Sequence, residues 1–387
     1  MKTVKFLALA AIIFCRSFAA VAQTWTQTSA PTNNWYSVAS SVDGSKLVAV
    51  IFGGGIYTST DWGNTWTQTS APTKYWYSVA SSTDGSKLVA GGGSIYTSKD
   101  SGNTWTSNNV PNQTFPNQYW TSVASSADGS KLVAVSHWGD IYSSTNSGNT
   151  WTSNNVPNQS WASVASSADG SKLVVVGGGI YTSKDSGNTW TSNNVPKHNW
   201  TSVASSVDGN KLVAAFAFVA GGVPGPIFTS TNSGNTWTSN YFGAVALWHS
   251  VASSADGSKL VAVDWSSIFT STNSGDTWTS NNAPQTLWSS VASSADGSIL
   301  VVVADGGGIW VSQTAPAPLL NLTTANTNLA LSWIIPSTNF VLQQCSDLTA
   351  ADWSVVTNVP MLNLTNLQNQ VILSPPNGND FYRLATP

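Results

Sequence analysis

Asp140, Asp264 and Asp305 are the acids of a long repetitive region that do not sit inside a recurring turn sequence. Asp264 adjoins Trp265. Asp140 lies two residues after Trp138, which His137 precedes. Carboxylates beside exposed aromatic platforms are what sugar binding or glycoside hydrolysis uses. The ring stacks on a sugar, and two carboxyls about 5–10 Å apart across a cleft divide the acid and base or nucleophile roles. Asp264 and Asp305 fall in neighbouring repeats and are the pair that could meet. Asp140 falls three repeats before Asp264. The plainer alternative is a set of solvated rim acids, with Trp138 and Trp265 packed between repeats.

Other chemistries find less support. A Ser–His–Asp hydrolase would draw on His137, His198 or His249, none of which lies in a nucleophile motif such as G-x-S-x-G. His249 follows a repeat tryptophan where other copies carry Tyr, Thr, Ala or Ser, and reads as a tolerated substitution. There is no His/Cys cluster and no dense acidic loop, so no metal and no cofactor are expected. Only 8% of the 387 residues are charged; all seventeen acids are Asp, and Glu is absent. Without a basic patch, nucleic acid is not an expected partner.

These residues must be held by a repeat. One part reads W-x-S-V-A-S-S-x-D-G-S-K-L-V-A-V, as in Trp120–Val135, with seven copies starting at Trp35, Trp76, Trp120, Trp161, Trp200, Trp248 and Trp288. The spacing suits propeller blades. Ser-Val-Ala-Ser-Ser predicts a strand, Ala-Asp-Gly-Ser a tight turn and Leu-Val-Ala-Val a buried strand. The other part reads GGGIYTSKDSGNTW at Gly177–Trp190 and predicts a hairpin. Asp185 can accept from backbone amides a few residues on, and Gly187 permits positive φ. Each repeat thus supplies four strands. The ends are out of phase: Thr24–Thr28 is a fourth strand with nothing before it, and the last repeat stops at Gln313 without its own. The N-terminal strand is expected to complete the last blade, closing seven blades without an open edge.

Ser59–Trp66, Ser98–Trp105 and Ser183–Trp190 fit S-x-D-x-G-x-x-W. This resembles the Asp-box (BNR) repeat over roughly residues 24–313. The resemblance implies a structural role for Asp61, Gly63, Trp66, Asp100, Gly102, Trp105, Asp185, Gly187 and Trp190. The same holds for Gly148, Trp151, Gly234, Trp237, Gly275 and Trp278, whose copies carry Asn146, Asn232 and Asn273 at the Asp position. The box is shared by sialidases, xyloglucan-degrading endoglucanases, sortilin-type receptors and photosystem II assembly factors, so it implies a fold more than a function. A sialidase would need three arginines and a Tyr/Glu pair, whereas Arg383 alone follows the N-terminal segment. Xyloglucan-degrading relatives use paired Asp but usually two propellers. The arginine-rich patch of the photosystem assembly relatives has no counterpart here.

Residues 1–22 read as a secretory signal: Lys2 and Lys5, an apolar run from Phe6 to Phe14, and an A-x-A site at Ala20–Ala22. Its removal takes Lys2, Lys5 and Arg16 and moves the formal charge from −3 to about −6. One cysteine, Cys345, would remain, so no intrachain disulfide is expected. No segment predicts a transmembrane helix.

The expected organisation is all-β: a seven-bladed propeller over 23–314, a Pro/Ala linker over 315–318, and a small β-sandwich (fibronectin III-like) accessory domain over 319–387. The tail's β-rich runs are Leu329–Ile335, Phe340–Gln344, Trp353–Val356, Gln370–Leu373 and Phe381–Leu384, and its pattern L-x-W…F-x-L-Q-x-x-x-x-L…W…V…F-Y-R-L resembles short C-terminal modules of secreted verrucomicrobial-type bacterial proteins. The function expected from this is a secreted, monomeric, non-enzymatic scaffold binding extracellular glycan or protein through His137, Trp138, Asp140, Asp264, Trp265 and Asp305. The competing expectation is a glycan-active hydrolase using Asp264 and Asp305.

Overall fold

The computed structural model describes residues 25–385, apart from 112–118, 138, 155, 157–158, 218–224, 241–246, 314–319, 326–327, 335–340, 347–352, 364–367 and 375–379. The signal segment 1–22 and the linker 315–318 lie outside the described residues.

The described residues form strands and turns without a helix. In a representative repeat, Trp161–Ser166, Leu173–Gly177, Ile180–Ser183 and Thr191–Ser192 pair antiparallel in sequence order. The other repeats build the same unit. The first two join through a second strand that runs on to Gly54, pairing Phe52 with Tyr75 and Gly54 with Lys74. The N-terminal strand Thr26–Gln27 pairs with Ile309–Gln313, with Thr26 opposite Val311, and completes the sheet of the last repeat.

The core lies between sheets. A second strand is apolar on both faces and sends alternate residues into two layers. Val48 and Val50 pack with Trp76, Val79 and Ala90 of the next repeat. Leu47, Ala49 and Ile51 pack with Val301 and Val303 of the last. Each layer centres on the repeat tryptophan; Trp35, Trp76, Trp120, Trp161, Trp200, Trp248 and Trp288 are all fully buried. These indoles meet the third-strand aromatic edge-on, as in Trp161–Tyr181 at 5.4 Å and 89°, the favoured aromatic geometry. Sheets stacked this way around one axis make the fold a β-propeller.

The Ser-x-Asp turns form as the sequence implies. Asp185 Oδ1 accepts from the Ser183 hydroxyl (2.8 Å) and the Thr189 amide (2.8 Å), and Oδ2 accepts from Thr189 Oγ1 (2.6 Å). Gly187 has φ +91°, and Ser186 before it also lies in the left-handed region at 59°. In the Asn copies the last bond reverses, with Asn146 Nδ2 donating to Thr150 Oγ1 at 2.8 Å. The other recurring turn closes a ring. Backbone bonds of 2.7–2.8 Å run from Val42 to Thr83, Ala127, Ala168, Val207, Ala255 and Ala295 in turn, then back to Val42.

The tail forms two sheets. One orders Asn321–Ala325, Asn328–Ile334, Gln368–Leu373 and Met361–Asn363; the other orders Ser354–Val355, Val341–Cys345 and Phe381–Ala385. Leu331, Trp333, Leu342, Val371 and Leu373, from both sheets, share one core, and Cys345 is buried. Sequence patterning missed Asn321–Ala325 and Met361–Asn363, strands too short or too polar to alternate clearly.

Acid should weaken the ring in a defined window. The Ser126 hydroxyl, the Ser130 amide and hydroxyl, and Lys87 hold the Asp128 carboxyl at about 2; Ser167, Ser171 and Lys131 do the same for Asp169. A depressed folded pKa contributes stability above the ordinary value of 3.8, lost as pH falls toward 2. Thermal unfolding midpoints should therefore drop between pH 4 and pH 2. An Asp128→Asn, Asp169→Asn double variant should show a shallower drop.

Candidate functional site

Each first strand carries Trp-x-Ser at or near its start. Plain alternation would put Trp and Ser on one face. The register breaks there instead: Trp120 pairs with Ser136 and Ser122 with Val135, leaving Thr121 as the extra residue. The same shift falls at Trp35/Ser37, Trp76/Ser78, Trp161/Ser163, Trp200/Ser202 and Trp288/Ser290. A bulge re-aims a side chain. The tryptophan enters the interior layer, the serine turns to the neighbouring first strand, and x faces a central cavity. Tyr36, Tyr77, Thr121, Ala162, Thr201, His249 and Ser289 all line it.

The cavity has a volume of about 1010 Å³. A continuous aromatic arc runs along one side, and its members Tyr36, Tyr77, Tyr119 and His137 line the cavity. Tyr75 contacts Phe52 (5.0 Å), Phe52 stacks on Tyr36 (5.7 Å), and Tyr36 meets Tyr77 edge-on (5.6 Å). Tyr77 stacks on Tyr119 (4.8 Å, 25°) and Tyr119 on His137 (5.1 Å, 14°). The extended strand that pairs Phe52 with Tyr75 raises the outer end of the arc. Elsewhere on the wall, Trp265 stacks on His249 (5.2 Å, 28°) and is still 51% exposed. Leu287 and Asp305 also line the cavity.

Burial raises the pKa of Tyr36, with Tyr77, Tyr119 and Asp305 adding to it, and burial likewise raises Tyr77 and Tyr119. Burial lowers His249, with nearby Asp264 acting the other way. At neutral pH the phenols keep their protons and the His249 imidazole is uncharged. Among the described residues no group of three His, Cys, Asp or Glu could hold a metal.

The structure brings His137, Trp265 and Asp305 to one cavity; Trp138 lies outside the described residues. Asp140 is half-buried, with its amide donating to Ser136 Oγ (3.0 Å), and does not line the cavity. Asp264 corrects the expectation of a free loop acid. It is 6% exposed, and Oδ1 accepts from the amides of Ser266 (2.7 Å) and Ser267 (2.6 Å). It is a turn former, so the expected Asp264/Asp305 pair loses one member to the backbone. Trp265 is a platform at the mouth and is not packed between sheets. Tyr36, Tyr77, Tyr119 and His249 were missed. For Tyr36, Tyr77 and His249 the signal was present, because x is the most varied position of an otherwise near-identical strand; Tyr119 precedes its repeat tryptophan and carried no such mark.

No family model matches the chain, and no curated protein matches it. Solved structures do. One described as YCF48 bound to D1 peptide has a TM-score of 0.58 at 15% identity, covering 77% of this chain and 98% of that one. YCF48 from Cyanidioschyzon merolae has a TM-score of 0.58 at 16% identity, covering 76% and 98%. Likeness at this identity establishes the propeller fold.

The two carboxylates should differ in solution. Asp264→Ala removes the buried acceptor that ties the amides of Ser266 and Ser267 and should cost about 1–3 kcal/mol in denaturant unfolding. Asp305→Ala, on the open wall, should stay within about 0.5 kcal/mol of the parent.

Proposed function

We propose that the protein is a secreted, non-enzymatic binding scaffold that takes an extracellular glycan or protein segment at the mouth of its central cavity. In this reading residues 1–22 are a cleaved signal and 23–314 an Asp-box propeller of seven blades. Residues 319–387 are then a β-sandwich accessory domain. The observation that carries the function is the aromatic arc Tyr75–Phe52–Tyr36–Tyr77–Tyr119–His137 joined to a cavity of about 1010 Å³. A roomy concave site with convergent aromatic and polar groups is the default binding site of a fold. The arc and the Trp265 platform suit a chain-like ligand, and YCF48, a protein of similar fold, is described as bound to a peptide. Asp264 Oδ1 accepts from two amides of its own loop, which weighs against a free Asp264/Asp305 pair for hydrolysis.

The reading of seven blades is supported by the pairing of Thr26–Gln27 with Ile309–Gln313 and by the closed cycle through Val42 and Ala295. Deleting residues 23–28 should open the last sheet, lower the unfolding midpoint and broaden the transition. A deletion that unfolds as sharply and as late as the parent would refute closure by this strand.

For the function, the chain from Gln23 onward would be presented with extracellular polysaccharides and with peptide arrays, while product release is followed in parallel. Binding without turnover, weakened at least about tenfold by Tyr77→Ala or Trp265→Ala, is expected. Turnover that Asp305→Asn abolishes would overturn the scaffold reading.

A further inference from the structure

Taking the cavity mouth as the binding site, and resting on that reading, we infer that its ligand is an uncharged oligosaccharide. Three features of the wall converge on this class.

The first is charge. Among the described residues lining the cavity there is no Lys or Arg, and Asp305 is the one carboxylate. Carboxylated or sulfated glycans and phosphorylated ligands are held by forked or clustered cations, and the wall offers none. A strongly basic ligand would find a single counter-charge.

The second is the fate of the backbone. An extended peptide can bind an exposed sheet edge by adding a strand, reading main-chain amides. The first strands do present edges to the cavity, but a serine of the preceding repeat has taken an amide on each. The amides of Val79, Val123 and Val164 donate to Ser37, Ser78 and Ser122 Oγ at 3.3, 3.1 and 3.1 Å. Strand addition is thereby hindered at each edge, which favours a ligand read by side chains. Each of these hydroxyls spends a lone pair on the amide and keeps its own O–H and a second lone pair. The wall thus carries spaced groups that both donate and accept, the pattern that matches a sugar's ring of hydroxyls.

The third is the platform. Trp265 rests one face on His249 and leaves half its surface to solvent, so the indole is fixed flat while its remaining area stays open. Tyr36, 42% exposed, offers a second ring from the aromatic arc. Pyranose rings have an apolar C–H face, and fixed aromatic rings cover it with little loss of side-chain freedom. The volume lies at the upper end for small-ligand sites, enough for several linked sugars.

The test uses the full chain from Gln23 against three probe sets: neutral polysaccharides (β-glucan, mannan, xylan), acidic ones (polygalacturonate, alginate), and a peptide array. Each is measured at about 0.05 and 0.5 M salt, where screening of exposed charges differs severalfold in range. The expected result is binding to a neutral glycan that salt leaves unchanged. Trp265→Ala should weaken it at least about tenfold, and Trp265→Phe, which keeps an aromatic face, should largely restore it. Trp265 is too exposed for either change to threaten folding, and an unchanged unfolding midpoint would verify this. Binding confined to acidic glycans or peptides, and still lost in Trp265→Ala, would overturn the oligosaccharide while leaving the mouth as the site. Binding indifferent to Trp265→Ala and Tyr77→Ala, or binding to none of the probes, would overturn both.

Discussion

The structure depends on how the first strands are satisfied where they face the cavity. Each forms the inner edge of its sheet, and an edge strand leaves backbone donors unpaired. An orphaned donor in a partly buried wall costs about 1–3 kcal/mol, repeated in every sheet. The chain answers with a side chain from the neighbour. Serines 290, 37, 78, 122, 163, 202 and 250 accept in turn from the amides of Val38, Val79, Val123, Val164, Val203, Val251 and Val291, at 3.0–3.4 Å. The sequence of partners returns to its start. No repeat can drop its serine without exposing the next repeat's amide, which is a physical reason for near-identical copies. The bulge in Trp-x-Ser belongs to the same solution, since it lets the tryptophan fill the interior while the serine turns sideways.

The bulged position carries a tension of its own. Where x is Thr121, Thr201 or Ser289, its hydroxyl donates to the next repeat's tryptophan carbonyl, at 2.8, 2.9 and 2.7 Å to Trp161, Trp248 and Trp35. Where x is Tyr36, Tyr77, Ala162 or His249, that short hydroxyl is gone. For Tyr36, Tyr77 and His249 the side chain becomes part of an aromatic contact. These repeats exchange a bond between sheets for a ring at the mouth. A substitution with no role would be expected to keep the hydroxyl, so reading His249 as a tolerated change undervalued it.

How far the sequence reveals this follows from what each residue does locally. The turns were legible because Asp185, Gly187 and Thr189 carry their geometry in residue type: a short acceptor, a residue free at positive φ, and a donor four residues on. The pairing of Thr26–Gln27 with the last repeat was legible because strands could be counted against a fixed period. The mouth was legible only as variation at x; that x faces the cavity was not, because a bulge leaves no mark in residue type and Trp-x-Ser reads as ordinary alternation until the register is seen. Asp264 was misplaced for a related reason. Asp-Trp-Ser-Ser resembles a loop acid beside a platform, and only its buried bonds to Ser266 and Ser267 reveal a turn.

Near-identical repeats also make the distribution of departures informative. On the face of the turns, changes preserve the interaction. Asn146 replaces an Asp yet keeps the Thr150 amide bond at 2.9 Å. Ile299 replaces the lysine of the other copies and still covers the following turn's glycine, Gly44, as Lys87 covers Gly129. The charges there are largely spent in place: Lys87, Lys172 and Lys259 donate to the carbonyls of Asp128, Asp208 and Asp296 across each junction. Such a face repeats one set of interactions around the ring, and its departures, Asn for Asp and Ile for Lys, leave those interactions in place. At the opposite end the changes alter chemistry. Phe52 and Tyr75 extend a strand pairing that other repeats lack, Tyr119 and His137 continue the stack, and Trp265 stands out from its loop. Departures that merely drifted would have no reason to gather at one end of the ring, and so the asymmetric mouth, not the symmetric ring beneath it, is where selectivity for a ligand can reside.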